Sequence, residues 1–176
     1  MTKSDNPHCE ITFSAVTEPC DSSAFKISVK GLYGGHSGED INRGRANANK
    51  LMGRILNQIR KKYKVKLVSL FGGSKHNAIP RECEAIIVLE SSEGLFELCS
   101  KLESEIKGEL VRDDRGFILT VEPCEIEQKK AFSYEDTQKI IFLLSTVADG
   151  LFKMCEGLDS VVEYSRNLGV AEVDAK

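Results

Sequence analysis

The sequence predicts an α+β fold: a ferredoxin-like, split βαβ antiparallel sheet with helices on one face, extended by additional strands and a third helix. Two patterns carry this expectation. Apolar and polar residues alternate over Phe25–Lys30, and Val65–Phe71, Ala78–Leu89 with its β-branched run Ile86-Ile-Val88, and Phe117–Val121 also read as strands, whereas Ala48, Leu51, Met52, Ile55 and Ile59, and later Leu95, Leu98, Cys99, Leu102 and Ile106, recur at helical spacing. Their order is strand, helix, strand, strand, helix, strand, which describes two α/β halves joined through a hairpin. At 176 residues the chain is long enough for one domain with a sizeable core and short for two.

Each element follows in turn. Cys9 to Val16 sets Ile11, Phe13 and Ala15 against Thr12 and Ser14, a half-buried strand ended by the turn Glu18-Pro-Cys-Asp-Ser-Ser23. With Phe25–Lys30 it makes an antiparallel start. A glycine loop over Gly31–Gly38 presents His36, and a helix from about Arg45 to Tyr63 follows, opened by Asn42 or Gly44. Pro80 belongs near the start of its strand or on an edge. A helix over Gly94–Leu110 leads through Arg112-Asp-Asp-Arg-Gly116 into Phe117–Val121. Ser133-Tyr-Glu-Asp136 reads as a capping box for a third helix reaching about Glu156, and a last strand covers Val161–Val173. The chain then ends within a few residues, as an excised piece of something longer would.

Composition narrows the function classes. Charged residues make up 29% and the formal net charge is -3, a balance that points to no partner class. The basic run from Arg60 to Lys66 reads as a solvated face, because the aromatic interleaving of single-strand binders is missing, so no nucleic-acid partner is expected. No apolar run approaches the roughly 20 residues needed to cross a bilayer, and the start is polar. The expectation is a cytoplasmic protein with no membrane partner. The six cysteines are scattered without a Cys-x-x-Cys pair, which favours reduced thiols.

Few residues offer chemistry. His8 lies in a polar terminus and His76 in a loop, both read as surface residues. His36, set between Gly35 and Ser37 where strand, loop and helix meet, serves equally well as a surface residue or as an acid, base or donor near neutral pH. No His-x-Asp or His-x-x-x-His spacing occurs, so no metal site is expected within this chain. The glycines lack the phosphate-loop ending. Asp113-Asp114 reads as a plain turn, and Asn77 taken alone as a loop cap. On residues alone, a stand-alone ferredoxin-like regulatory or anion-binding module stays open.

Taken together, Gly34-Gly-His-Ser-Gly38, Asp40-Ile41, Gly44-Arg-Ala-Asn-Ala48, Asn77-Ala-Ile-Pro-Arg-Glu82 and Val162-Glu-Tyr-Ser-Arg-Asn-Leu-Gly169 resemble the Xaa-His dipeptidases, dinuclear zinc enzymes related to carboxypeptidase G and carnosinase. Tyr164 stands where the family usually has Thr. The resemblance implies that residues 1–176 are a single lid and dimerisation domain from a larger two-domain metallopeptidase acting on Xaa-His and related dipeptides. It implies that His36 is the catalytic histidine stabilising the oxyanion and that Asn77 binds substrate. Zinc would be bound by the missing catalytic domain and not by this fragment, which alone would be inactive. The implied partners are the chain's own catalytic domain, a second copy in a homodimer, with the first helix as candidate face, and a dipeptide substrate. The family's strand arginine has Glu90 near its place here, and the arginine for the substrate carboxylate is not assigned to Arg166.

Overall fold

In order along the chain, the computed structural model contains β1 (Thr17–Pro19), β2 (Ser23–Lys30), β3 (Gly35–His36), α1 (Ala48–Ile59), β4 (Val65–Gly72), β5 (Ala78–Ile79), β6 (Cys83–Leu89), α2 (Leu95–Glu109), β7 (Ile118–Cys124), β8 (Lys130–Phe132), α3 (Tyr134–Thr146), β9 (Gly150–Met154), β10 (Val162–Arg166) and β11 (Ala171–Asp174). It describes residues 8–158 and 161–175; the polar start, residues 1–7, lies outside them. The main sheet has five antiparallel strands in the order β11-β4-β6-β2-β7. Its last four strands show the expected split βαβ order, with β11 added along β4.

One face of that sheet carries the core. Phe25, Ile27 and Val29 of β2, Ala85, Ile87 and Leu89 of β6, and Leu119 of β7 meet Met52, Ile55 and Ile59 of α1, Leu95, Leu102 and Ile106 of α2, and Ile140, Ile141 and Leu144 of α3. The opposite face is more polar, with Lys26, Lys30 and Ser28 around Glu84. In β4 the inward set switches from Val65 and Leu67 to Leu70 because the register against β6 shifts between Leu67 and Ser69. Beside this irregularity the Leu67 N–H donates to Thr137 Oγ1 of α3 at 3.0 Å. All six cysteines are free, and burial pushes the thiols of Cys83 and Cys99 up to about 12 and about 11.

Several boundaries differ from expectation for reasons that lie in distant parts of the chain. No strand forms over Cys9–Val16, where Ile11 and Phe13 stay exposed; the strand is Thr17–Pro19. It pairs with β8, so the antiparallel hairpin expected with β2 does not exist. Gly44 ends a short 3₁₀ turn in the left-handed region, and the cap of α1 is Asn47, whose Oδ1 accepts from the N–H of Asn49 at 2.9 Å and of Lys50 at 3.4 Å. The segment Pro80–Glu82 divides Ala78–Leu89 into two strands of different sheets. The third helix stops at Thr146 because Val147 turns extended, and β9 then pairs with β10. The expected final strand is likewise two strands, β10 and β11, in two sheets.

Helix α1 is covered along part of its surface by α3, and the Lys50 ammonium donates to the last carbonyls of α3 and its cap, those of Leu144, Ser145 and Val147, where a cation also meets the favourable end of the helix dipole. Leu51, Arg54, Asn57 and Gln58 remain partly exposed on it.

At the start of α3 only half of the expected capping box is made. Ser133 Oγ accepts from the Asp136 N–H at 3.1 Å, but the Asp136 carboxylate turns to the Val16 N–H at 2.7 Å and thereby anchors the N-terminal segment. The hydrogen bond from Lys139, followed by that from Val16, holds the Asp136 carboxyl below its ordinary value of 3.8. A carboxyl depressed on folding contributes stability above its unfolded pKa and loses it as pH falls through the folded one. The difference in Tm between the native chain and Asp136→Asn is therefore expected at neutral pH and should close on acidification below about pH 4. A pH-independent difference in thermal scans would assign the effect to packing alone.

Candidate functional site

The loop after β2 is held in shape by charges at both of its ends. Buried Asp114 accepts from the Tyr33 N–H at 2.9 Å through one oxygen and from the Ala46 N–H at 2.7 Å through the other. Its neighbour Asp113 binds Arg45 Nε at 3.0 Å. The Arg45 guanidinium, only 5% exposed, also donates to the Gly34 carbonyl at 2.8 Å and lies 4.2 Å from the centre of the Tyr33 ring. Local pattern reads Asp113-Asp114 as a plain turn, since nothing near it in sequence signals a bond to residues so far upstream.

Inside that frame Gly35 and His36 pair with Ala78 and Ile79, Gly35 opposite Ile79 and His36 opposite Ala78. The Ser37 N–H extends the ladder to the Asn77 carbonyl at 2.9 Å. Gly35 is required here: its φ is +145°, and a Cβ would sit 2.6 Å from Asp40 Oδ2. That same oxygen accepts from the His36 N–H at 2.9 Å, while the His36 carbonyl accepts from the Asp40 N–H at 2.8 Å. The His36 hydrogen bond, with the charges of Arg45 and Arg43, holds the Asp40 carboxyl below its usual range against the opposing effect of burial.

The two residues singled out from sequence are thus placed at one corner, with Asn77 next to the ladder partner of His36. Both side chains are exposed. The His36 Nδ1 accepts from the Gly38 N–H at 3.1 Å, which in the neutral ring leaves the proton on Nε2 as an available donor. His76 lies in the adjoining loop, its ring 5.3 Å from that of His8 in an edge contact.

A further segment joins this corner. Asn167 Nδ2 donates to the carbonyls of His76 and Ala78, and Leu168 is tied to Asn47, Asn49 and Asp149. Burial pushes the Asp149 carboxyl up, while the Leu168 N–H, Asn47 and the charge of Lys50 act the other way. The motif Asn167-Leu-Gly169 is legible in the sequence, but its contact with His76 and Ala78, the neighbours of Asn77, is not.

Among the described residues no three His, Cys, Asp or Glu side chains come together in a way that could hold a metal ion, so the residues present do not fit a zinc site. Among them, too, no helix is long and apolar enough to cross a membrane.

Residues 27–114, from β2 to Asp114, match the family described as the peptidase dimerisation domain. The chain is 32% identical over 154 residues to the cytosol non-specific dipeptidase of Escherichia coli (strain K12), a match covering 86% of this chain and 32% of that protein. The crystal structure of aminoacylhistidine dipeptidase from Vibrio alginolyticus superimposes with a TM-score of 0.81 at 34% identity, over 89% of this chain and 32% of that one. The chain therefore spans about a third of the length of either relative, and both relatives are peptidases by name. With half of its length matched and its fold shared, the chain belongs to the peptidase dimerisation domain family.

Proposed function

We propose that this chain is the lid and dimerisation domain of a cytosolic zinc-dependent dipeptidase that hydrolyses Xaa-His and related dipeptides. The observation that carries the reading is the state of His36: exposed, with Nδ1 engaged by Gly38 and the Nε2 proton left to donate. In peptide hydrolysis the attacked carbonyl becomes a tetrahedral oxyanion, and a preorganised N–H that meets this charge stabilises the transition state more than the substrate. His36 supplies that donor and Asn77, at the same corner, contacts the dipeptide. The name of the Vibrio alginolyticus relative supports the choice of Xaa-His substrates. Zinc belongs to the catalytic part of the longer protein, which closes against this domain, and two copies form a homodimer.

The test uses the full-length protein that contains these residues. Amine release from Xaa-His dipeptides is expected, lost on chelation and restored by zinc, while the 176-residue chain alone shows none. A full-length protein inert towards every dipeptide, whose isolated domain instead binds inorganic phosphate in a calorimeter, would replace this reading by that of an anion-binding module.

A further inference from the structure

We propose that Asn167 is a positioning residue for the Asn77 and His36 corner, acting as a clasp on the backbone at both sides of Asn77. Its Nδ2 donates to the His76 carbonyl at 3.2 Å and to the Ala78 carbonyl at 2.8 Å, the two acceptors that flank Asn77. A planar amide has two N–H bonds to give and fills both roles at once. The amide is held in this orientation although its Oδ1 is buried without a hydrogen-bond partner among the described residues. A flipped amide would set that oxygen against two carbonyls, so the donor pair decides the orientation.

The clasp has a rigid base. Leu168 donates its N–H to Asp149 Oδ1 at 2.8 Å, and its carbonyl accepts from Asn49 Nδ2 at 3.0 Å and Asn47 Nδ2 at 3.2 Å. Asn47 is also the cap of α1, so the segment bearing Asn167 is fastened to the start of the central helix. Backbone lies against backbone beside it: a Cβ on Gly73 would fall 1.9 Å from the Gly169 carbonyl oxygen, and one on Gly169 would fall 2.6 Å from that of His76. From the clasp the order passes on, because the Asn77 carbonyl receives the Ser37 N–H and Ala78 pairs with His36. The His76 carbonyl lies near the surface, where water can replace the amide. Loss of the clasp therefore loosens the corner while leaving the core intact.

This inference rests on the proposed function only for the roles of Asn77 and His36. It is tested with Asn167→Asp in the full-length protein, a near-isosteric change that replaces two donors by acceptors. Hydrogen exchange read by mass spectrometry is expected to speed up about tenfold or more over residues 34–40 and 74–80, with protection of α1 and β6 unchanged. KM for dipeptide should rise more than kcat falls. If Asn167→Asp does not fold, Asn167→Ser, which keeps one donor, decides by the same exchange measurement. Native protection of both segments in a folded variant overturns the proposal. Faster exchange with unaltered dipeptide kinetics would uphold the clasp and reject the roles given to Asn77 and His36.

Discussion

His36→Ala in the full-length protein is expected to lower kcat by on the order of 100-fold or more, the usual effect of removing one oxyanion donor. Bound metal should be unchanged, because no ligand set lies in this chain among the described residues. The fold should also survive. The imidazole is exposed and accepts a hydrogen bond from the Gly38 N–H, so the change in stability should stay within about 0.5 kcal/mol, the range of ordinary surface substitutions. That separation makes the experiment decisive: turnover collapses while thermal unfolding and metal content do not move. Native turnover in His36→Ala would remove the histidine from the mechanism.

The second large effect concerns folding. Asp114→Ala takes away the acceptor of two backbone N–H groups, those of Tyr33 and Ala46, around a carboxylate with no exposed surface. Each donor left unsatisfied costs about 1–3 kcal/mol when buried, and both are only partly so, which sets the expected loss at roughly 2–4 kcal/mol. For a chain of this size that lowers Tm by about 10 °C, since 1 kcal/mol corresponds to a few degrees. Asp113→Ala is the control. Its carboxylate is 44% exposed, and the Arg45 guanidinium it pairs with, although only 5% exposed, keeps the Gly34 carbonyl and Asp40 as partners, so a loss of about 1 kcal/mol or less is expected. Urea and thermal unfolding should separate the two variants clearly; equal stability would deny Asp114 its role as the anchor of the loop.

The contrast between these neighbours shows where local reading ends. Nothing within a few positions distinguishes Asp113 from Asp114, yet one is half in water and the other is buried under the loop that carries His36. The same limit explains the misplaced elements. Ile11 and Phe13 alternate as a strand should, but pairing in this region begins at Thr17, where β8 supplies an edge. Leu151 and Cys155 continue the stripe of α3 on paper, whereas the chain leaves the helix after Thr146 and forms a hairpin with Val162–Arg166. Helix α1 starts at Ala48, the first residue of its apolar stripe, and not near Arg45, because Asn47 caps it while also holding Asp149 and Leu168.

What the amino-acid sequence determined by itself is the set of segments whose signal repeats over neighbouring residues: β2, β4, the core of α1, α2, and the alternation of strand and helix that yields the β4-β6-β2-β7 order. It also carried His36 and Asn77 as candidates, through motifs in the right succession. Only the tertiary structure decided that β5 would lie against β3, that Asp114 would reach the loop and that Asn167 would grip both sides of Asn77. Periodicity is a property of residues a few positions apart, set by backbone geometry. A hydrogen bond between distant segments exists only after the whole chain has closed around its core, and no short stretch contains it.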